Sequence, residues 1–128
     1  KIMSEALQSA KKIAKNLDYV GTIAIEYFIN KNNDLLVNEI APRPHNSAHL
    51  TINAFNISQF EGHVRAVCDL KIIPPGIICK SAEMINILGK EIEEYRSKTF
   101  NENEFFFDYE KKEIKDKRKM GHLTILKK

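Results

Sequence analysis

The sequence predicts an α+β protein: an antiparallel sheet with packed helices, followed by a small β-rich C-terminal unit. Three observations carry this expectation. Apolar residues recur at helical spacing through residues 2–16. Two β-prone runs, Tyr19 to Ile29 and Leu35 to Ile40, flank the turn residues Lys31-Asn32-Asn33-Asp34. Beyond Pro74-Pro75-Gly76 the remaining apolar segments are short and strand-like.

Taken in order, Ile2, Ala6, Ala10, Ile13 and Leu17 form one face of an amphipathic helix, with Lys11, Lys12 and Lys15 on the other. The chain opens on Lys1 inside this pattern, which leads us to expect further sequence upstream. The next two runs predict a hairpin in which Asn30 pairs with Leu35 and cross-strand partners sum to 65. Pro42 and Pro44 then stop the second strand, leaving Arg43, His45 and Asn46 on an irregular loop. Ser47 is a candidate cap for a short helix from Ala48 to about Phe55. Ser58-Gln59-Phe60-Glu61 has the form of a capping box, followed by Phe60, Val64 and Val67 at helical spacing. This helix is expected to reach about Leu70 and to pack on the hairpin sheet, leaving His63 and Arg65 as surface groups. After the Pro-Pro-Gly boundary come a strand from Ala82 to Leu88 and a charged segment from Gly89 to Lys98. The core residues Phe105-Phe106-Phe107, a turn or a hairpin limb over 108–116 and a final strand from Lys119 to Leu126 complete the chain. The expected units are 1–73 and 74–128.

At 128 residues, with 43% hydrophobic and 29% charged content, the chain fits one ordinary domain or part of a larger enzyme. No apolar run is long enough to span a bilayer, and no signal peptide pattern opens the chain. Cys68 and Cys79 form no CxxC pattern, which predicts reduced thiols in a cytoplasmic protein rather than a disulfide framework. The net charge of +3 is uneven: residues 1–110 carry 12 basic and 15 acidic groups, residues 111–128 carry 8 and 2. A basic cluster this small suits a phosphate better than a long nucleic acid.

The hairpin register sets Glu26 opposite Glu39. Opposed residues on an antiparallel pair have Cβ atoms about 4.5–5.5 Å apart, and like charges there repel. A positive group between them is expected, and hard carboxylate oxygens favour Mg²⁺ or Mn²⁺ with a bridging phosphate. In this register Phe28 and Val37 share the glutamates' face, and acids among apolar side chains need a partner. The alternative is a pair of acids on an ordinary solvated sheet face. His45 and His49 have the spacing of a zinc pair but lack a third ligand. The five isolated glycines form neither a P-loop nor a dinucleotide fingerprint, so a triphosphate would need another segment to cover it.

The runs LLVNEIAPRPHNSAH, SQFEGHVRAV and YEKKEIKDKRKMGH closely resemble the C-terminal part of the 5-(carboxyamino)imidazole ribonucleotide synthase family. These are ATP-grasp enzymes of purine biosynthesis, which make up the ATPase subunit of phosphoribosylaminoimidazole carboxylase. The resemblance implies the C-terminal half of an ATP-grasp domain followed by the small β-rich unit, and about the last third of the family's enzyme. It implies that Glu26 and Glu39 hold Mg²⁺ at the ATP phosphates, with Asn38 beside them at the nucleotide. His45 and Asn46, with Arg43 as a further candidate, would face the aminoimidazole ribonucleotide, and Lys111 and Arg118 would hold its phosphate. The implied reaction passes bicarbonate through carboxyphosphate, at the expense of ATP, to the exocyclic amine of the ribonucleotide. A homodimeric full-length enzyme is implied, with no nucleic acid or membrane partner.

Four positions depart from the family pattern: Ala48 for Gly, Asn53 for Asp, and Glu110 and Lys117 where glycines often precede the substrate-binding Lys and Arg. Ala41 also replaces an Asn that many ATP-grasp enzymes place two residues after the second glutamate, so a third metal ligand must come from elsewhere. Two other functions fit parts of the sequence. The sibling ATP-grasp glycinamide ribonucleotide transformylase shares an APRPH-like stretch but has Asp-Thr at the Asn46-Ser47 position and lacks RKMGH. A non-enzymatic module binding phosphate or nucleic acid through Lys111 to Lys119 is the other.

Overall fold

The computed structural model describes residues 2–127, which fall in two compact units. One comprises 2–48 with Gln59–Pro74, the other His49–Ser58 with 75–127.

In the first unit helix α1 spans Ile2–Asn16, as the periodicity predicts. Asp18 takes a left-handed conformation (φ 47°) that ends it, with Tyr19 N donating to Ala14 O and Asp18 N to Lys15 O. The first strand does not begin at Tyr19. Residues 19–23 are held by side-chain bonds, Tyr19 Oη to Thr22 O at 3.1 Å and Thr22 N to His63 Nδ1 at 3.1 Å. Strand β1 therefore covers only Ala24–Ile29 and pairs antiparallel with β2, Leu35–Ala41.

The turn is longer than predicted. Asn30 is part of it: its side-chain oxygen accepts from Asn32 N and Asp34 N, and its own N–H donates to Asp34 O. The expected Asn30–Leu35 pair is replaced by Ile29–Leu35, so partners near the turn sum to 64, not 65. A β-bulge then intervenes: Tyr27 faces Val37, Glu26 faces Glu39, and Asn38 is the extra residue. The bulge restores the sum to 65 at the glutamates. It also corrects the face assignment, since Leu36, not Val37, stands across from Phe28.

Helix α3, Gln59–Val67, stops three residues before the predicted end, where Asp69 turns left-handed at φ 52°. It does not pack its apolar stripe on the sheet as expected: Phe60, Val64 and Val67 remain exposed. Its polar groups instead reach the segments flanking the hairpin, Thr22 before β1 and His45 after β2. His63 is accordingly a structural acceptor and not a free surface group. Arg65 pairs with Glu61 at 2.7 Å. Among the described residues of this unit Ala41 is the buried apolar side chain, while Phe28 is 61% and Leu36 53% exposed.

The second unit has a core of its own. Strands β3 (Ser81–Leu88), β4 (Glu104–Asp108) and β5 (Lys119–Lys127) form an antiparallel sheet in the order β3-β5-β4. Helix α4, Glu91–Ser97, packs on it. Ile87, Ile92, Met120 and Leu123 are buried together, with Tyr95, Phe100, Phe106, Ile114 and Ile125 around them. The segment 49–58 joins this unit through Asn56 N to Gly76 O and Ile78 N to Ala54 O. The helix expected from Ala48 to Phe55 is broken up. A 3₁₀ turn covers Asn46–Ala48, and α2 is only Thr51–Ala54, with Leu50 at its N-cap. Ser47 does not cap it, because its hydroxyl is turned to His45.

Gly121 is required by close approach, since a Cβ there would lie 2.4 Å from the Phe107 carbonyl oxygen on the neighbouring strand. Glu110 and Lys117, where glycine is the family's habit, adopt left-handed φ of 52° and 56°. The turn geometry is thus kept without glycine, at a steric cost. Glu110→Gly and Lys117→Gly should each raise stability by about 0.5–1 kcal/mol. Gly121→Ala should lower it by about 3 kcal/mol. Urea unfolding of the three variants checks both signs.

Candidate active site

The first unit builds a carboxylate site. Sheet pairing fixes Glu26 and Glu39 opposite each other, and the bulge at Asn38 is what brings Glu39 into that position. The imidazole of His45 lies against both, Nδ1 3.5 Å from Glu26 Oε1 and Nε2 3.7 Å from Glu39 Oε1. Its Nδ1 also meets the Ser47 hydroxyl at 2.8 Å. The His45 backbone is clamped by a residue that the sequence did not single out. Gln59, 8% exposed, accepts from His45 N through Oε1 and donates to His45 O through Nε2, both at 2.8 Å. Thr22 Oγ1 bonds the Gln59 carbonyl at 3.0 Å, so the start of α3 ties both ends of the hairpin. Nothing local in the sequence marks Gln59 beyond its place in the first turn of the helix after the loop. Arg43 is exposed, its guanidinium donating to Pro44 O at 3.0 Å, and Asn46 opens the 3₁₀ turn.

Two opposed carboxylates on one sheet face suit a hard divalent ion of the kind bound by one or two carboxylates and completed by phosphate oxygens and water. Among the described residues no group of three or more His, Cys, Asp or Glu side chains is arranged to hold a metal. The donor set therefore fits Mg²⁺ only in that shared manner.

The second unit builds a cationic site on the loop between β4 and β5. The carboxylate of Asp108 ends β4, accepting from Arg96 Nε at 2.6 Å and from Glu110 N at 2.8 Å. The bond from Arg96 holds the Asp108 carboxyl below its ordinary pKa and raises that of Arg96. Lys111 Nζ donates to the Lys119 carbonyl and stands 5.2 Å above the ring of Tyr109. Its pKa is lowered, first by desolvation and then by the positive charges of Arg118 and Lys119. Lys111 and Arg118, far apart on the loop, are thus electrostatic neighbours. Arg118 donates from Nη1 to Glu113 O at 3.1 Å. Such a group of cations suits a phosphate.

Behind Tyr109 lies His122, 1% exposed and stacked on Phe107 at 4.9 Å. Its Nδ1 is 2.8 Å from Tyr109 Oη. Burial, and then the neighbouring His49, push its pKa down to about 4. The sequence placed His122 inside a motif but gave it no task.

The comparisons with known proteins match two segments of the chain, the first of which takes in residues 49–58 that the structure places with the second unit. The family models that match are the ATP-grasp domain over residues 1–60 and the phosphoribosylaminoimidazole carboxylase C-terminal domain over residues 82–128. The N5-carboxyaminoimidazole ribonucleotide synthase of Staphylococcus aureus (strain MRSA252) is 43% identical over 126 residues, 97% of this chain and 33% of that protein. The crystal structure of N5-carboxyaminoimidazole synthetase from Staphylococcus aureus complexed with ADP superposes with a TM-score of 0.85 at 41% identity, covering 97% of this chain and 34% of that one. The synthase from Aspergillus clavatus in complex with ADP and 5-aminoimidazole ribonucleotide gives a TM-score of 0.68 at 32% identity, covering 83% and 30%. The chain spans about a third of the length of the curated relatives it matches. None of these three is a transformylase.

The depressed pKa of His122 has a consequence for stability. The unfolded chain protonates this side chain near 6.5, the folded chain only near 4, so the unfolded state binds more protons between those values. The stability contributed by keeping this ring neutral should be fully present above pH 6.5 and be lost as pH falls toward 4. The His122 ring resonances should stay in their neutral form down to about pH 4, while urea midpoints of wild type fall more steeply over this window than those of His122→Phe.

Proposed function

Since this chain belongs to the ATP-grasp family of N5-carboxyaminoimidazole ribonucleotide synthases, we propose that it supplies the carboxylate side of that enzyme's nucleotide site and the unit that holds the ribonucleotide phosphate. The observation that carries this is the register pair Glu26–Glu39, two acids set face to face by a bulge in a chain that matches ATP-grasp proteins. We read residues 1–73 as the ATP-grasp part and 74–128 as the C-terminal domain.

In the full-length protein Glu26 and Glu39 would hold Mg²⁺ or Mn²⁺, and Asn38, turned out of the ladder by the bulge, would sit at the nucleotide. The ion, when bound, supplies charge neutralisation at the ATP phosphates. The chain's own residues do the positioning. Gln59 holds the His45 backbone so that the imidazole stays at the carboxylates, and His45 with Asn46 and Arg43 forms the loop offered to the ribonucleotide. Lys111 and Arg118 hold the ribonucleotide phosphate. The overall reaction joins bicarbonate to the exocyclic amine of 5-aminoimidazole ribonucleotide. ATP first gives carboxyphosphate and ADP; the carboxyl group then passes to the amine and phosphate leaves. The setting is the cytoplasm and the full-length protein a homodimer. The segments that cover ATP lie outside these 128 residues.

Glu39→Gln in the full-length protein should reduce turnover by more than 10³-fold, with circular dichroism and melting temperature unchanged. The 128-residue chain by itself should show no ribonucleotide-dependent ATPase activity. Near-normal turnover in the first assay, or measurable ATP hydrolysis in the second, overturns the corresponding part of the assignment.

A further inference from the structure

We propose that His122 is a positioning residue for the ribonucleotide phosphate, acting through Tyr109 on the ammonium of Lys111. This rests on Lys111 being a phosphate holder, as assigned above, and adds two residues that the assignment did not use.

The starting point is an imbalance in the buried polar groups. His122 lies on β5 with its ring stacked almost parallel on Phe107, at 16° between planes, and its Nε2 is a buried nitrogen without a hydrogen-bond partner among the described residues. A buried unpaired nitrogen is costly, and a phenylalanine would fill the same stack without that cost. What histidine adds is the contact from Nδ1 to Tyr109 Oη at 2.8 Å.

That contact acts on a ring whose backbone is already fixed, because Tyr109 N donates to Met120 O at 2.9 Å and extends the β4–β5 ladder by one residue. With both the main chain and the phenol held, the plane of the Tyr109 ring is set. His49 meets its edge at 6.0 Å and 87°, which supports the same orientation. The ring face is where Lys111 Nζ rests, at 5.2 Å from the centroid.

Lys111 needs such a rest. Its side chain is long and flexible, and the adjacent charges of Arg118 and Lys119 repel it. Two attractions hold it in place, the Lys119 carbonyl and the Tyr109 ring face. An ammonium already localised beside Arg118 loses less freedom when a phosphate binds. The line from the core to the surface is therefore His122, Tyr109, Lys111, phosphate.

The test is a double-mutant cycle in the full-length protein, with 5-aminoimidazole ribonucleotide as the varied substrate. Tyr109→Phe keeps the ring and removes its anchor. It should raise the KM for the ribonucleotide about three- to fivefold, leaving kcat and the KM for ATP unchanged. In a Lys111→Met background, itself with a raised ribonucleotide KM, the same substitution should have no further effect. His122→Phe should repeat the Tyr109→Phe result, while His122→Asn, whose amide can take the place of Nδ1, should stay near wild type. If Lys111→Met alone leaves the ribonucleotide KM unchanged, the phosphate-holder assignment fails. If Lys111→Met raises it but Tyr109→Phe does not, or acts equally in both backgrounds, the His122–Tyr109 role fails by itself. Should His122→Phe not fold, the Tyr109→Phe cycle decides the question.

Discussion

Two like charges face each other across a pair of strands, and much of the first unit is arranged around that fact. At about 4 Å such a pair costs about 1 kcal/mol in water and about 4 kcal/mol where water is partly excluded. Sheet geometry would avoid the pairing if the strands ran regularly from the turn, because Glu26 would then face Asn38. The bulge turns the ladder by one residue and creates the opposition. His45 lies against both acids, and Gln59 fixes the His45 backbone from the far side of the loop. The helix bearing Gln59 is thus a brace for the site more than a cover for the sheet.

The second unit solves a different electrostatic problem, gathering cations instead of acids. Lys111, Arg118 and Lys119 come together on a loop whose two ends are pinned by specific bonds. Asp108 holds one through Arg96 and the Glu110 amide, and Arg118 O accepts from Gly89 N at the other. The left-handed residues Glu110 and Lys117 are the bends that let the loop double back. Beneath it the apolar core of Ile87, Ile92, Met120 and Leu123 makes the platform rigid.

Much of this was legible in the sequence, for physical reasons that differ by element. Helix α1 and strands β3 and β5 followed from periodicity and propensity. The Glu26–Glu39 pair was also foreseen, but through two one-residue errors that cancel: a turn one residue too short and a missing bulge. The same errors surfaced at Val37, where nothing cancelled them. The helix expected at Ala48 failed because Ser47 bonds His45 in place of the helix end. Gln59, His63 and His122 were not readable as site or scaffold, since each owes its role to a partner brought near by tertiary folding: Gln59 and His63 at His45 and Thr22, His122 at Tyr109. At Glu110 and Lys117, where the sequence departs from glycine, the backbone is left-handed all the same, a conformation open to other residues at a cost.

The apolar hairpin bears on how such a polypeptide behaves in a crowded cell. Phe28, Ile29, Leu36, Val37 and Ile40 lie exposed on a sheet that, among the described residues, has two strands, each with an unpaired edge. Exposed apolar strands with free edges are templates for other chains. Until other strands or side chains cover it, the segment that carries the two opposed acids is therefore the one most prone to aggregate and to engage chaperones. The second unit has a closed core, and among the described residues it leaves Ile77, Ile78 and Ile85 as its exposed large apolar side chains. Yield and solubility would then report on the carboxylate site before any assay of its chemistry could.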